Sequence, residues 1–133
     1  MVDRTAFGAW IEGYERAWRT AGTAHLRELF TEDAHYRFGP YQPVVVGLAD
    51  IERSWEAERE GPHEVFTMAA EIVAVEGDTG VAKLLVRYGD PVEQEYQDLW
   101  LVRFAPDGRC SSFEEWPFWP DQPWTARDTA SGA

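Results

Sequence analysis

The run from Tyr96 to Trp116 constrains the fold more than any other part of the chain. Tyr96, Asp98, Trp100, Val102 and Phe104 fall on one parity, with Gln97, Leu99, Leu101 and Arg103 on the other. A period of two over this length predicts a strand. Pro106-Asp107-Gly108 supplies turn chemistry, and the run from Cys110 to Trp116 returns as a second strand, so the pair is predicted to form a hairpin. Asp98 then shares a face with large apolar side chains, and Glu115 shares one with Phe113. A carboxylate so placed either reaches solvent at a mouth or lines a cavity, because an unpaired buried charge costs too much to be filler.

The rest of the chain divides into helices first and strands after. Phe7, Trp10, Ile11, Tyr14 and Trp18 form one stripe of a helix predicted from Arg4 to Ala21, stopped at Gly22. Thr23 is placed to cap a short second helix carrying Leu26, Leu29 and Phe30. The acidic pair Glu32 and Asp33 leads into a short strand, HYRF, broken by Gly39, Pro40 and Pro43. Val44 to Val46 resume extended structure. Leu48, Ile51 and Trp55 mark a third helix ending near Gly61 and Pro62. Strands follow over Val65–Val75, Val81–Tyr88, Tyr96–Phe104 and Cys110–Trp116. Helices before a meander of strands predict an α+β layout. The outer parity of the strands mixes Leu85, Leu99 and Leu101 with Lys83, Arg87 and Arg103. That face suits a sheet-to-sheet homodimer contact, or a solvated surface.

Composition narrows the function classes. With 133 residues the chain makes one domain, burying roughly two thirds of its unfolded surface. We place it at residues 1–120, with 121–133 as a tail whose last eight or so residues are expected to be disordered. The net charge of −12 argues against nucleic acid and anionic membrane as partners. The single cysteine, Cys110, allows no internal disulfide and no cysteine-based zinc site, and reads as a small sheet residue. No apolar run approaches a membrane span and no signal peptide is evident, so a cytoplasmic location is expected. Aromatic residues make up 14 %, more than a minimal core needs, which fits either a bulky core or a concave apolar site.

Four blocks, GYERAWRTAG, LFTEDAHYRFG, VVGLADIERSW and DLWLVRFAPDGRC, follow one another at a spacing that resembles the nuclear transport factor 2-like superfamily, which includes the SnoaL-like polyketide cyclases and ketosteroid isomerases. The resemblance covers about Phe7 to Phe118. It implies a cone-shaped fold, with a strongly curved, mostly antiparallel sheet and about three N-terminal helices packed on its concave face. It also implies a pocket for a small hydrophobic molecule. Against the isomerase pattern, Tyr14 stands where a hydrogen-bonding tyrosine belongs. The general-base position falls on Phe38 and the second acid on Trp100, so steroid isomerisation by that route is not expected. Against the SnoaL-like pattern, Glu115 stands where a cavity carboxylate near the end of the last strand belongs, with Glu114 turned away. Arg87 and Arg103 point outward, which does not support an arginine-assisted epoxide hydrolase triad.

The resulting expectation is a cofactor-free enzyme of isomerase, dehydratase or cyclase type. Its catalytic candidates are Glu115, Asp98 and Tyr14, and its cavity lining is Trp18, Tyr36, Phe38, Trp55, Met68, Trp100 and Phe113. Two carboxyls facing one apolar space would raise each other's pKa and serve as acid or base near neutral pH. Other readings stand beside it. Glu115 could accept a hydrogen bond from a tryptophan N–H and staple the sheet, and Asp98 could sit at a solvent edge beside a basic group. The domain could carry a ligand without chemistry, or recruit a partner with a cavity plugged by its own tryptophans. His35 with Asp33 is the only local histidine–carboxylate pair, and no histidines share metal-ligand spacing, so no metal is expected.

Overall fold

The computed structural model describes residues 1–59, 61 and 63–122. Helix α1 (Arg4–Trp18) is capped by Asp3, whose carboxylate accepts the Ala6 N–H at 2.7 Å. Its predicted stripe buries Phe7, Trp10, Ile11 and Tyr14. The helix stops three residues before the expected end. Beyond it the Arg59 guanidinium gathers the carbonyls of Ala17, Thr20 and Gly22 at 3.1, 2.7 and 2.8 Å, satisfying groups that further helix would have paired. Helix α2 (Leu26–Leu29) is a single turn, and Phe30 belongs to the strand that follows.

That strand, β1 (Phe30–Arg37), is longer than the HYRF segment and takes in Glu32 and Asp33. Its register against the last strand shifts between Phe30 and His35, which lets these two successive residues both face solvent. Strand β2 (Val45–Val46) pairs with β1, and helix α3 (Leu48–Glu58) buries Ile51 and Trp55. The meander is β3 (Phe66–Glu76), β4 (Thr79–Tyr88), β5 (Gln94–Phe104) and β6 (Cys110–Phe118), each strand within three residues of its expected bounds. The six strands run in the order β2-β1-β6-β5-β4-β3, antiparallel except for the β1–β6 pair. The sheet curves around the helices without closing, giving the expected α+β cone. Gly108 takes its positive φ in the β5–β6 turn, as the Pro-Asp-Gly signal required.

Strand parity decides the two faces. Ala82, Leu84, Val86, Asp98, Trp100, Val102, Phe104 and Phe113 point inward, and Lys83, Arg87 and Arg103 point out. Trp10 sits at the core's centre, edge-on to Phe30, Trp100 and Phe104, with its N–H on the Leu29 carbonyl at 2.9 Å. Phe7 lies directly over Gly80, where any Cβ would fall 2.5 Å from the ring. Cys110 is fully buried. Gln122 is buried too, its side-chain amide donating to the Pro117 carbonyl at 3.0 Å. The expectation of tail disorder falls on positions outside the described residues. Among the described residues no helix is long and apolar enough to cross a membrane.

Candidate active site

A cavity of about 850 Å³ opens between α1, α3 and the inner face of the sheet. Nine of the ten residues singled out from sequence line it: Tyr14, Trp18, Tyr36, Phe38, Trp55, Met68, Asp98, Trp100 and Glu115. The exception is Phe113, which lies one layer behind, stacked on Tyr14 and Tyr36 at centroid distances of 5.5 and 4.9 Å. The tryptophans form walls rather than a plug. Trp55 and Trp100 are buried at the deep end, and Trp18 packs edge-on to Trp55 at 4.8 Å.

The sheet register places the acids. Asp98 is flanked across the sheet by Leu84 and Pro117, and Glu115 lies opposite Trp100. The two carboxyls are therefore diagonal neighbours on one face, close enough to hydrogen-bond through a shared proton. The Trp100 N–H donates to Glu115 Oε2 at 2.7 Å. Asp98 Oδ1 is buried with no hydrogen-bond partner. Burial with apolar neighbours, and then the charge of Glu115, push Asp98 up to about 9. Burial raises Glu115 as well, opposed by its bonds to Asp98 and the Trp100 N–H. The pair thus holds one proton well above the usual carboxylate range, as two acids sharing a site must. The expected tryptophan staple on Glu115 is present, and it coexists with cavity exposure. The alternative for Asp98, a solvent edge with a basic partner, is corrected: its neighbour is another acid, and it is 8 % exposed.

Beside the acids, the Tyr14 and Tyr36 hydroxyls meet at 3.2 Å. Burial, reinforced by neighbouring charge, holds both well above the ordinary tyrosine value, so they stay neutral proton donors. The Trp55 N–H lies near the Tyr36 hydroxyl without reaching hydrogen-bond geometry and is left unpaired.

Sequence reasoning passed over several lining residues. Tyr88 and Tyr96 share inward parity with Val86 and Asp98, and alternation alone could have placed them. Glu58 continues the α3 stripe three residues after Trp55. Phe66, Glu64, Glu93 and Trp119 come from loops and strand ends, where no periodicity speaks. Glu64 is fixed by the Trp18 N–H at 3.0 Å.

Other candidates fall outside. Glu114 faces away and pairs with Arg37 at 3.0 Å. Arg87 pairs with Glu95 on the outer face at 2.8 Å. His35 and Asp33 are exposed on β1, Asp33 accepting from the Thr31 hydroxyl at 2.9 Å, so that pair does not reach the cavity. His25 is exposed and His63 stands at the mouth. Among the described residues no group of three or more His, Cys, Asp or Glu side chains is placed to hold a metal ion.

Comparison with known proteins follows this geometry. A family profile described as a SnoaL-like domain matches residues 11–113. Similar solved structures include the epoxide hydrolase/cyclase-like enzyme SalBIII, described in pyran ring formation in the polyether salinomycin. It shares 14 % identity at a TM-score of 0.68, over 86 % of this chain and 92 % of that one. A candidate SnoaL-like polyketide cyclase from Jannaschia sp. CCS1 shares 20 % identity at a TM-score of 0.66, over 100 % of this chain and 99 % of its own. A candidate ketosteroid isomerase from Kribbella flavida shares 19 % identity at 0.62, over 86 % of this chain and 79 % of its own. No curated protein matches. At these identities the structural likenesses speak to fold.

Proposed function

The chain belongs to the SnoaL-like domain family, and from that premise we propose that it is a cofactor-free enzyme moving a proton at a carbon next to a carbonyl. The observation that carries the reading is the Asp98–Glu115 pair, buried in a cavity with one proton between two carboxyls and one oxygen unpartnered. Glu115, oriented by Trp100, acts as the base and takes a proton from the substrate carbon. The electron pair moves onto the carbonyl oxygen. Asp98 in its protonated form, with the neutral Tyr14–Tyr36 hydroxyls, stabilises the enolate. The proton then returns to another carbon, leaves with a hydroxyl as water, or goes to the alkoxide formed when the enolate closes onto a second carbonyl of the same molecule. Each outcome balances without an external reductant or oxidant. Phe38 and Trp100, at the two isomerase positions lacking an acid, make the steroid route unsuitable and shape an apolar site instead.

Hydrogen–deuterium exchange tests this before the net reaction is known. Aryl alkyl ketones and cyclic β-keto esters are incubated with the protein in D2O, and the α-position is read by mass spectrometry. Exchange above buffer rate is expected, falling by about 10²–10⁴-fold in Glu115→Gln. Ligand retention with exchange unaffected by Glu115→Gln would assign the cavity to carriage alone. We further propose that two copies pair through the outer sheet face, where Leu85, Leu99 and Leu101 lie among charges. Light scattering at the monomer mass across the micromolar range would exclude that.

A further inference from the structure

The charge of the cavity is one-sided. Five carboxyl groups line it, Glu58, Glu64, Glu93, Asp98 and Glu115, and among the described lining residues there is no lysine or arginine. The chain has 12 such residues, so their absence from this wall is not for want of supply. The acids also occupy two depths. Asp98 and Glu115 sit at the deep end, whereas Glu58 and Glu93 are exposed at the mouth and Glu64 is half-buried beside them. Glu64 is held in place by an indole N–H rather than by a cation. The influence of Glu58 reaches inward, helping to raise the proton affinity of Tyr36, Tyr96 and Glu115.

Between the two depths the wall is aromatic. Trp18 packs on Trp55, Phe66 on Tyr88, and Tyr96 on Trp119, with centroids 4.8, 5.7 and 5.9 Å apart. Such faces attract a positive charge, and one of them already does: the Arg19 guanidinium carbon lies 3.8 Å from the Phe66 ring centre, with its own charge met by Glu15 at 2.9 Å. An acidic cluster alone would be a solvated rim. Here it surrounds a cavity whose lining includes Asp98, 8 % exposed, with a buried Oδ1 that no donor satisfies. A buried carboxyl, in a cavity whose described lining holds no lysine or arginine and only His63 at the mouth, favours a ligand that brings its own positive charge.

We propose that the cavity selects a ligand bearing a cationic nitrogen, a substituted ammonium held against the aromatic wall between the mouth acids and the Asp98–Glu115 floor. Anionic ligands are excluded by the same field. The inference rests on reading the cavity as a small-molecule site and narrows that site to amino-carbonyl compounds.

The test reads binding and needs no turnover, so its failure is separable from that of the exchange experiment. Three phenyl probes are titrated by tryptophan fluorescence: phenyltrimethylammonium, its neutral isostere tert-butylbenzene, and the anion benzoate. The ammonium is expected to bind at least about tenfold tighter than the hydrocarbon, a preference that shrinks as salt rises. Benzoate is expected not to bind. The Glu58→Gln, Glu64→Gln double variant should bring the ammonium-to-hydrocarbon ratio severalfold closer to one while hydrocarbon affinity holds. Equal or weaker binding of the ammonium, or binding of benzoate, overturns the inference and leaves the proposed chemistry standing. A ratio unmoved in the double variant overturns the role of the mouth. Failure of all three probes to bind overturns both the inference and the reading of the cavity beneath it.

Discussion

Asp98→Asn should make the protein more stable, and by an amount that depends on pH. In the unfolded chain Asp98 ionises at its ordinary value of 3.8, whereas in the folded protein it is pushed up to about 9 by burial and by Glu115. The folded state therefore keeps a proton that the unfolded state releases. Stability falls as pH rises through that window, by roughly 1.4 kcal/mol per unit, and flattens above it. At pH 7 the interval above 3.8 sets a ceiling of about 4 kcal/mol. Local relaxation lowers it, so a gain of about 2–4 kcal/mol is expected from the amide, which keeps the shape, carries no charge and retains an N–H for Glu115. Below pH 4 the acid is protonated in both states and the gain should vanish. Urea unfolding of the two proteins at each pH from 4 to 9 gives the difference curve. A difference flat with pH, or a variant less stable than the parent at pH 8, refutes the shared-proton geometry. The same variant should lose α-carbon exchange, so that the more stable protein is the less active one.

Other outcomes follow from single residues. Arg59 has a side chain only 4 % exposed and donates to carbonyls at the end of α1, so Arg59→Met should cost about 2–4 kcal/mol in denaturant unfolding. It should also loosen Trp18 at the mouth, seen as a red shift in tryptophan emission. Gly80→Ala places a Cβ against the Phe7 ring and should cost about 1–3 kcal/mol by the same unfolding measurement. Tyr14→Phe removes one member of the hydroxyl pair. It should lower α-carbon exchange about tenfold or more with little loss of stability, the reverse of the Asp98→Asn pattern.

The fold was legible because its elements are long and strongly patterned. The α1 stripe and the β5 alternation each placed five side chains on the correct face, and Pro106-Asp107-Gly108 set the turn between β5 and β6. Parity set Glu115 and Glu114 on opposite sides of the sheet without deciding which of them faces the cavity, and the structure decides it by turning Glu114 toward Arg37. What failed was set by tertiary contacts. The stop of α1 at Trp18 depends on Arg59, some forty residues away in sequence. The extra length of β1 depends on pairing across a bulge with β6, which no local pattern reveals. Phe113 had the right parity for the cavity, but it lies behind the Tyr14 and Tyr36 rings. Glu58 extends the α3 stripe and was within reach of periodicity, whereas Glu64 and Trp119 lie outside the helices and strands, where position comes from the fold.

The indole N–H groups give the last argument about what the cavity is for. Trp10 donates to a backbone carbonyl, Trp18 to Glu64, Trp100 to Glu115 and Trp116 to Glu114. Each of these pairs satisfies a donor and fixes an acceptor, as a buried interior requires. Among the described residues two buried side-chain groups are left out, the Trp55 N–H and Asp98 Oδ1, and both residues line the cavity. Joined to each other they would close the account and stabilise the protein. Instead one unfilled donor and one unfilled acceptor belong to two residues that line a single space. A ligand carbonyl accepting from Trp55, with an N–H offered to Asp98 Oδ1, would complete both. On that reasoning a bound amino ketone should raise the unfolding temperature of the parent protein more than that of Trp55→Phe or Asp98→Leu, which remove the donor and the acceptor, and equal shifts in all three would show that neither group meets the ligand.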